Sequence, residues 1–183
     1  MVVKNRLLKG IQNMLNEKVT KLLNEQINKE FFSAYLYLDM SNFYSNHGLL
    51  GFANWFKVQA QEERDHALLF SQYLQNNNFD VTLDAIAKPD SKYSDYKAPL
   101  VQSLEHERFI TASIYTIYKA AQEASDFRTI EFLNWFVKEQ GEEEMNAENL
   151  IQRFELFGSD PKSLYLLDTE LAARTYTAPT LVL

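Results

Sequence analysis

Glu63 and His66 stand three residues apart in the segment QAQEERDHA. On a helix, residues at that spacing share a face, so both side chains can close on one metal ion. Three further glutamates, Glu30, Glu107 and Glu143, recur in long segments whose other inward positions are apolar or aromatic. A buried, unpaired carboxylate costs several kcal/mol or takes up a proton, so four that converge need a compensating cation. Oxygen-rich ligation with one imidazole suits iron or manganese, whereas a closed zinc site takes more nitrogen or sulfur. The chain has no cysteine, which excludes disulfides, thiolate metal sites and a cysteine nucleophile.

Residues this far apart meet only if long elements bring them together. The 183-residue chain has 5 glycines and 4 prolines, where average usage gives roughly 22 in total. Turns must be few and the elements long. Four helices are predicted, from about Leu15 to Ser45, Leu49 to Asn76, Pro99 to Ser125 and Phe127 to Phe157. The punctuation agrees: Gly48 divides the first pair, Pro99 suits a first helical turn, Asp126 is an N-cap and Gly158 follows the last helix. A fifth, short helix is expected after Asp160, with Leu164, Leu167 and Leu171 on one face. Marginal alone, it must bury those leucines on the bundle or on a neighbouring subunit, and an assembly contact is the expectation.

Asn77 to Ala98 leaves 22 residues for the central connection. Extended, they reach roughly 70 Å, against about 42 Å for the second helix. The connection can therefore run the length of a bundle and set the second and third helices parallel. A linker between two helical hairpins is the alternative.

Alternating steps of four and three give each helix an inward seam. The first reads Leu23, Ile27, Glu30, Ala34, Tyr37, Ser41, and the second Phe52, Phe56, Gln59, Glu63, His66, Phe70, Tyr73. The third reads Leu100, Leu104, Glu107, Thr111, Ile114, Tyr118, Ala121, and the fourth Phe132, Phe136, Glu139, Glu143, Asn146, Leu150. A seam that turns slightly would leave any one glutamate at the solvent edge, but that does not account for all four helices at once. No lysine or arginine lies on these seams. His47, beside Gly48, is expected to be solvated, and His106 falls off its stripe.

The net charge is −7. Acidic charge spread along the chain argues against a nucleic-acid surface, which needs lysine and arginine to displace counterions. No apolar run approaches a membrane span, and the amino terminus lacks the features of a secretory signal, so a cytoplasmic protein is the default. One domain over residues 1–183 is expected. Its first 13 residues form an extension with Lys4, Arg6 and Lys9 and no acid, whose role stays open.

These residues resemble a bacterial non-haem ferritin over nearly the whole chain, from about Leu15 to Arg174. The segments that carry the likeness are LNEQINKEFFSAYLYLDMS, QAQEERDHA, HERFIT, FLNWFVKEQGEEE and LYLLDTELAAR. The resemblance implies an all-α, ferritin-like four-helix bundle with one long crossover and a short fifth helix. It implies a ferroxidase centre with Glu30, Glu63 and His66 at one iron and Glu63, Glu107 and Glu143 at the other, Glu63 bridging. Gln140 would line the second iron. A third iron site would be built from Glu62, Glu139, Glu142 and Glu143, although Glu62, Glu139, Glu142 and Glu144 also read as a solvated acidic face. Tyr37, two turns from Glu30, would hydrogen-bond a ligand or lend an electron, and Trp135 is a second donor by resemblance; core packing is the alternative for both. The implied partners are ferrous and ferric iron, with O2 or H2O2 as oxidant. The implied assembly is a 24-mer cage of identical chains that stores ferric mineral.

Departures narrow the reading. Asn146 stands three residues after Glu143, where bacterioferritins and many oxygen-activating di-iron proteins carry a second histidine. Arg64 follows Glu63 where bacterioferritins place a haem methionine, so no haem is expected. Gly141, inside the fourth helix, costs about 1 kcal/mol against alanine and signals close packing or nothing at all. Asp126 is explained by capping, with a channel for incoming iron as the other reading. Two competing functions remain: a di-iron oxygenase or peroxidase acting on a separate substrate, and a structural bundle with buried acids and no metal.

Overall fold

A computed structural model describes residues 16–183, so the extension over residues 1–13 lies outside the described residues. Five helices follow in order: α1 (Glu17–Asn46), α2 (Leu50–Asn76), α3 (Ala98–Glu123), α4 (Phe127–Phe157) and α5 (Pro161–Leu171). Local chemistry sets the ends. Asn16 accepts the Lys18 amide at the start of α1, Asp95 accepts those of Lys97 and Ala98 before α3, and Asp126 and Asp160 cap α4 and α5. Ser125 enters the left-handed region at φ 54°, just beyond the end of α3 at Glu123. Gly48, at φ 77°, makes the tight α1–α2 turn where a side chain would be strained.

The crossover is held along α1 rather than free. Asn24 donates to Asp80 O and accepts from the Thr82 amide, and Asn28 donates to the carbonyls of Asp84 and Ala85. Further along, Tyr93 donates to Asp39 and Tyr44 donates to Tyr96 O. The loop thus climbs from the start of α1 to its end, and α3 sets off parallel to α2. The linker alternative is excluded.

The apolar core is divided in two. One cluster joins Leu23, Ile27, Phe70, Ile114, Phe132 and Phe136; the other joins Leu36, Met40, Phe52, Phe56, Leu100 and Leu150. The glutamates lie in the band between them. All seam positions of α1 and α2 are buried as expected. In α3, however, Leu104, Thr111 and Tyr118 are only half-buried, and Ser103, Ile110 and Ile117 take the inward places; in α4, Gln140 is buried while Glu139 and Asn146 are half-buried. A straight helix advances 3.6 residues per turn, so a strict alternation of four and three drifts off the face.

α5 also corrects an expectation. Leu167 and Leu171 are buried on the chain's own bundle, with Leu164 packed beside them. Asp168 accepts the amides of Gly51 (2.8 Å) and Phe52 (3.0 Å), capping α2 from another helix. The approach is so close that a Cβ on Gly51 would lie 1.6 Å from Asp168 O. Among the described residues, no helix is long and apolar enough to cross a membrane.

Candidate metal centre

Glu30, Glu63, His66, Glu107, Gln140 and Glu143 are all buried, one or two from each of the four bundle helices. One ligand atom each of Glu30, Glu63 and His66 lies within 4.8 Å of those of the other two, the one such cluster among the described residues. Glu63 and His66 point the same way because they are three residues apart on α2, with Nδ1 of His66 3.5 Å from Glu63. The imidazole is fixed by edge-on contacts with Trp135 and Phe136, whose ring centres are 5.6 and 5.8 Å away.

Neutral amides hold the carboxylates. Gln26 donates to Glu30 at 2.8 Å and in turn accepts from Ser113. Gln59 donates to Glu143 at 2.6 Å and to Glu63 at 3.2 Å. Gln140 donates to Glu107 at 3.1 Å, and Tyr37 donates to the other oxygen of Glu107. Glu30 Oε2 is buried and accepts no hydrogen bond. An orphaned carboxylate oxygen on a member of this three-residue cluster fits a bound cation.

Burial dominates the acid–base chemistry. It pushes Glu30, Glu107 and Glu143 up to about 8, reinforced by Glu63 for Glu30 and Glu107 and by Glu107 for Glu143. Glu63 is also raised well above the carboxylate range, by burial and by Glu143. Burial and the neighbouring Glu107 raise the Tyr37 phenol, keeping it a hydrogen-bond donor. Without a metal, burial thus favours the protonated form of these acids.

The outer acids behave differently. Glu62 is half-buried and paired with Arg174 at 2.6 Å. Glu139 and Glu142 line a groove beside His66 and Trp135, roofed by residues 177–180. Burial raises both Glu62 and Glu139. Gly141 would meet nothing with an added Cβ, so its presence reflects no close packing. Asp126 is used up as a cap, both oxygens accepting from Thr129. His47 is exposed. His106 is tucked between α1 and α3, bonded to Ser33 at 2.7 Å, and burial pushes its imidazole down to about 4.

Sequence reasoning did not assign functions to Gln26, Gln59, Ser113 or Arg174. Gln59 lies on a seam and Gln26 sits one turn before Glu30, which were usable signals. Nothing local links Arg174 to Glu62, 112 residues away.

Comparison with known proteins agrees with this geometry. The Ferritin family, described as a ferritin-like domain, matches residues 20–157. The Bacterial non-heme ferritin of Staphylococcus epidermidis is 37% identical over 163 residues, covering 89% of this chain and 98% of that protein. Its counterpart in Staphylococcus aureus is 35% identical with the same coverage. Two solved structures are similar: an engineered closed form of the Archaeoglobus fulgidus ferritin, with TM-score 0.87 and 39% identity over 89% of this chain and 99% of that one, and the open-pore ferritin of the same archaeon, with TM-score 0.86 and 38% identity over 88% and 99%.

Proposed function

The chain belongs to the ferritin family, an iron-storage family, and from that premise we propose that it is a ferroxidase whose buried carboxylates bind two ferrous ions as substrate. The observation that carries this reading is the orphaned, buried Glu30 Oε2 within a ligand cluster of Glu30, Glu63 and His66. One ion is held by Glu30, Glu63 and His66, the second by Glu63, Glu107 and Glu143, with Gln140 and Tyr37 holding Glu107. Each ion gives one electron, and O2 accepts two electrons and two protons to leave as H2O2; with H2O2 as oxidant, the same two electrons and two protons yield two waters. Anionic oxygen around the pair offsets the cations' repulsion and favours the ferric state. Ferric ions then leave for a mineral core inside a 24-mer cage in the cytoplasm. A third, outer position uses Glu62, Glu139, Glu142 and Glu143.

The test is iron per chain in the largest soluble species after aerobic ferrous loading and removal of free iron. Many tens of irons per chain in a cage-sized particle are expected. About two irons per chain in a small oligomer would overturn storage and favour the di-iron oxygenase or peroxidase. Iron-free chains that keep full stability in chelator and show no oxidase activity would favour a structural bundle.

A further inference from the structure

Residues 172–183 leave α5 and return along the groove between α2 and α4, held at successive turns of α2. Asn54 donates to the carbonyls of Ala172 (3.3 Å) and Arg174 (2.9 Å). Tyr176 donates to Asp65, the indole of Trp135 donates to Thr180 at 3.1 Å, and Leu181 packs on the first apolar cluster. The centre of this strap is Arg174. Its guanidinium lies 4.1 Å from the Trp55 ring centre and donates to Trp55 O at 3.2 Å, to Gln59 Oε1 at 2.9 Å and to Glu62 at 2.6 Å.

Two consequences follow from chemistry alone. The guanidinium is permanently charged, so it sits on Glu62 as a tethered monocation where an outer metal would bind. By engaging the Gln59 carbonyl oxygen, it also turns the Gln59 amide toward Glu63 and Glu143, so the strap reaches the inner carboxylates through one side chain.

We infer that Arg174 is a positioning residue that aims Gln59 at the inner pair and competes with metal for Glu62, so that the carboxy-terminal strap sets the centre at two ions and holds off a third. This rests on the two-ion reading proposed above. A third ion enters the outer acids only when Arg174 swings away from Glu62.

The test is anaerobic titration of the assembled protein with Zn2+, a redox-inert stand-in for ferrous ion, counting ions and affinities per chain. Wild type is expected to bind two ions tightly and a third at least tenfold more weakly than R174Q does. R174K, which keeps the charge but not the fork, is expected to fall between them. The double variant R174Q with E62Q loses the third ion again, which separates competition at Glu62 from general loosening. A third ion bound equally by wild type and R174Q, or kept by the double variant, overturns the inference while leaving the two-ion centre standing. Failure of wild type to bind the first two ions overturns the centre and this inference with it.

Discussion

Loading the centre with metal is expected to expel protons, in a number the structure sets. Metal-free, Glu30, Glu107 and Glu143 have pKa values of about 8, so at pH 7 each keeps its proton in roughly nine molecules out of ten. Glu63 is raised in the same direction, by burial and by Glu143. Those three groups then carry roughly three protons between them, and carboxylates that ligate two divalent ions carry none. Binding two Zn2+ per chain at pH 7 should release about three protons from these groups, falling below about one by pH 9. The overall two-ion binding constant should fall by about three orders of magnitude per unit as pH drops below 7.

Anaerobic calorimetry in two buffers of different ionisation enthalpy, with a pH-stat as a check, reads the number directly. Release of less than one proton per chain at pH 7, with two ions bound, would refute the reasoning. The carboxylates would then be ionised in the empty bundle, and burial would not govern them.

The metal-free protein should show the opposite pH dependence of stability. These carboxylates bind more protons folded than unfolded, so their contribution is present below about pH 4.5 and lost as pH rises through about 8, by about 1.4 kcal/mol per unit for each titrating group; Tm in chelator should fall between pH 5 and 8. E30Q removes one acid from the band while keeping a hydrogen-bonding side chain; it should weaken two-ion binding at least tenfold with no loss of metal-free Tm at pH 8, as scored by titration and calorimetry. G51A forces a Cβ into Asp168 O and should cost about 1–3 kcal/mol through strain, lowering Tm by several degrees, with hydrogen exchange rising first in α5. Y37F removes the donor to Glu107 and should weaken the second ion about tenfold, leaving the first unchanged in the same titration.

The helices and the four glutamates were legible because both rest on period and type. Long runs without glycine or proline required helices, and acids recurring at seam positions of all four called for a cation or for protons. Glu139 shows the limit: a strict four-three alternation put it inward, but the true helical period carries Gln140 there instead. α5 shows another. Its leucines needed a partner, and local sequence cannot distinguish a neighbouring subunit from the chain's own α2, because the deciding contact, Asp168 on the amides of Gly51 and Phe52, spans 117 residues. Arg174 was illegible for the same reason.

The partners of the carboxylates suit both an empty centre and one loaded as proposed. Gln26, Gln59 and Gln140 each give an amide N–H to a buried carboxylate, and that donor suits an acid oxygen whether its carboxyl holds a proton or a metal. A lysine or arginine in the same place would neutralise one glutamate permanently and repel the incoming ions. The neutral amides leave positive charge to be supplied by protons or by metal, so loading is expected to exchange one for the other with the two apolar clusters kept. The nearby guanidinium, Arg174, stands one layer out, touching the inner carboxylates only through Gln59. Moving that charge inward, as in Q59R, is therefore expected to abolish two-ion binding while leaving the helices folded. Zn2+ stoichiometry and circular dichroism check this together, and retained two-ion binding in Q59R would contradict the argument.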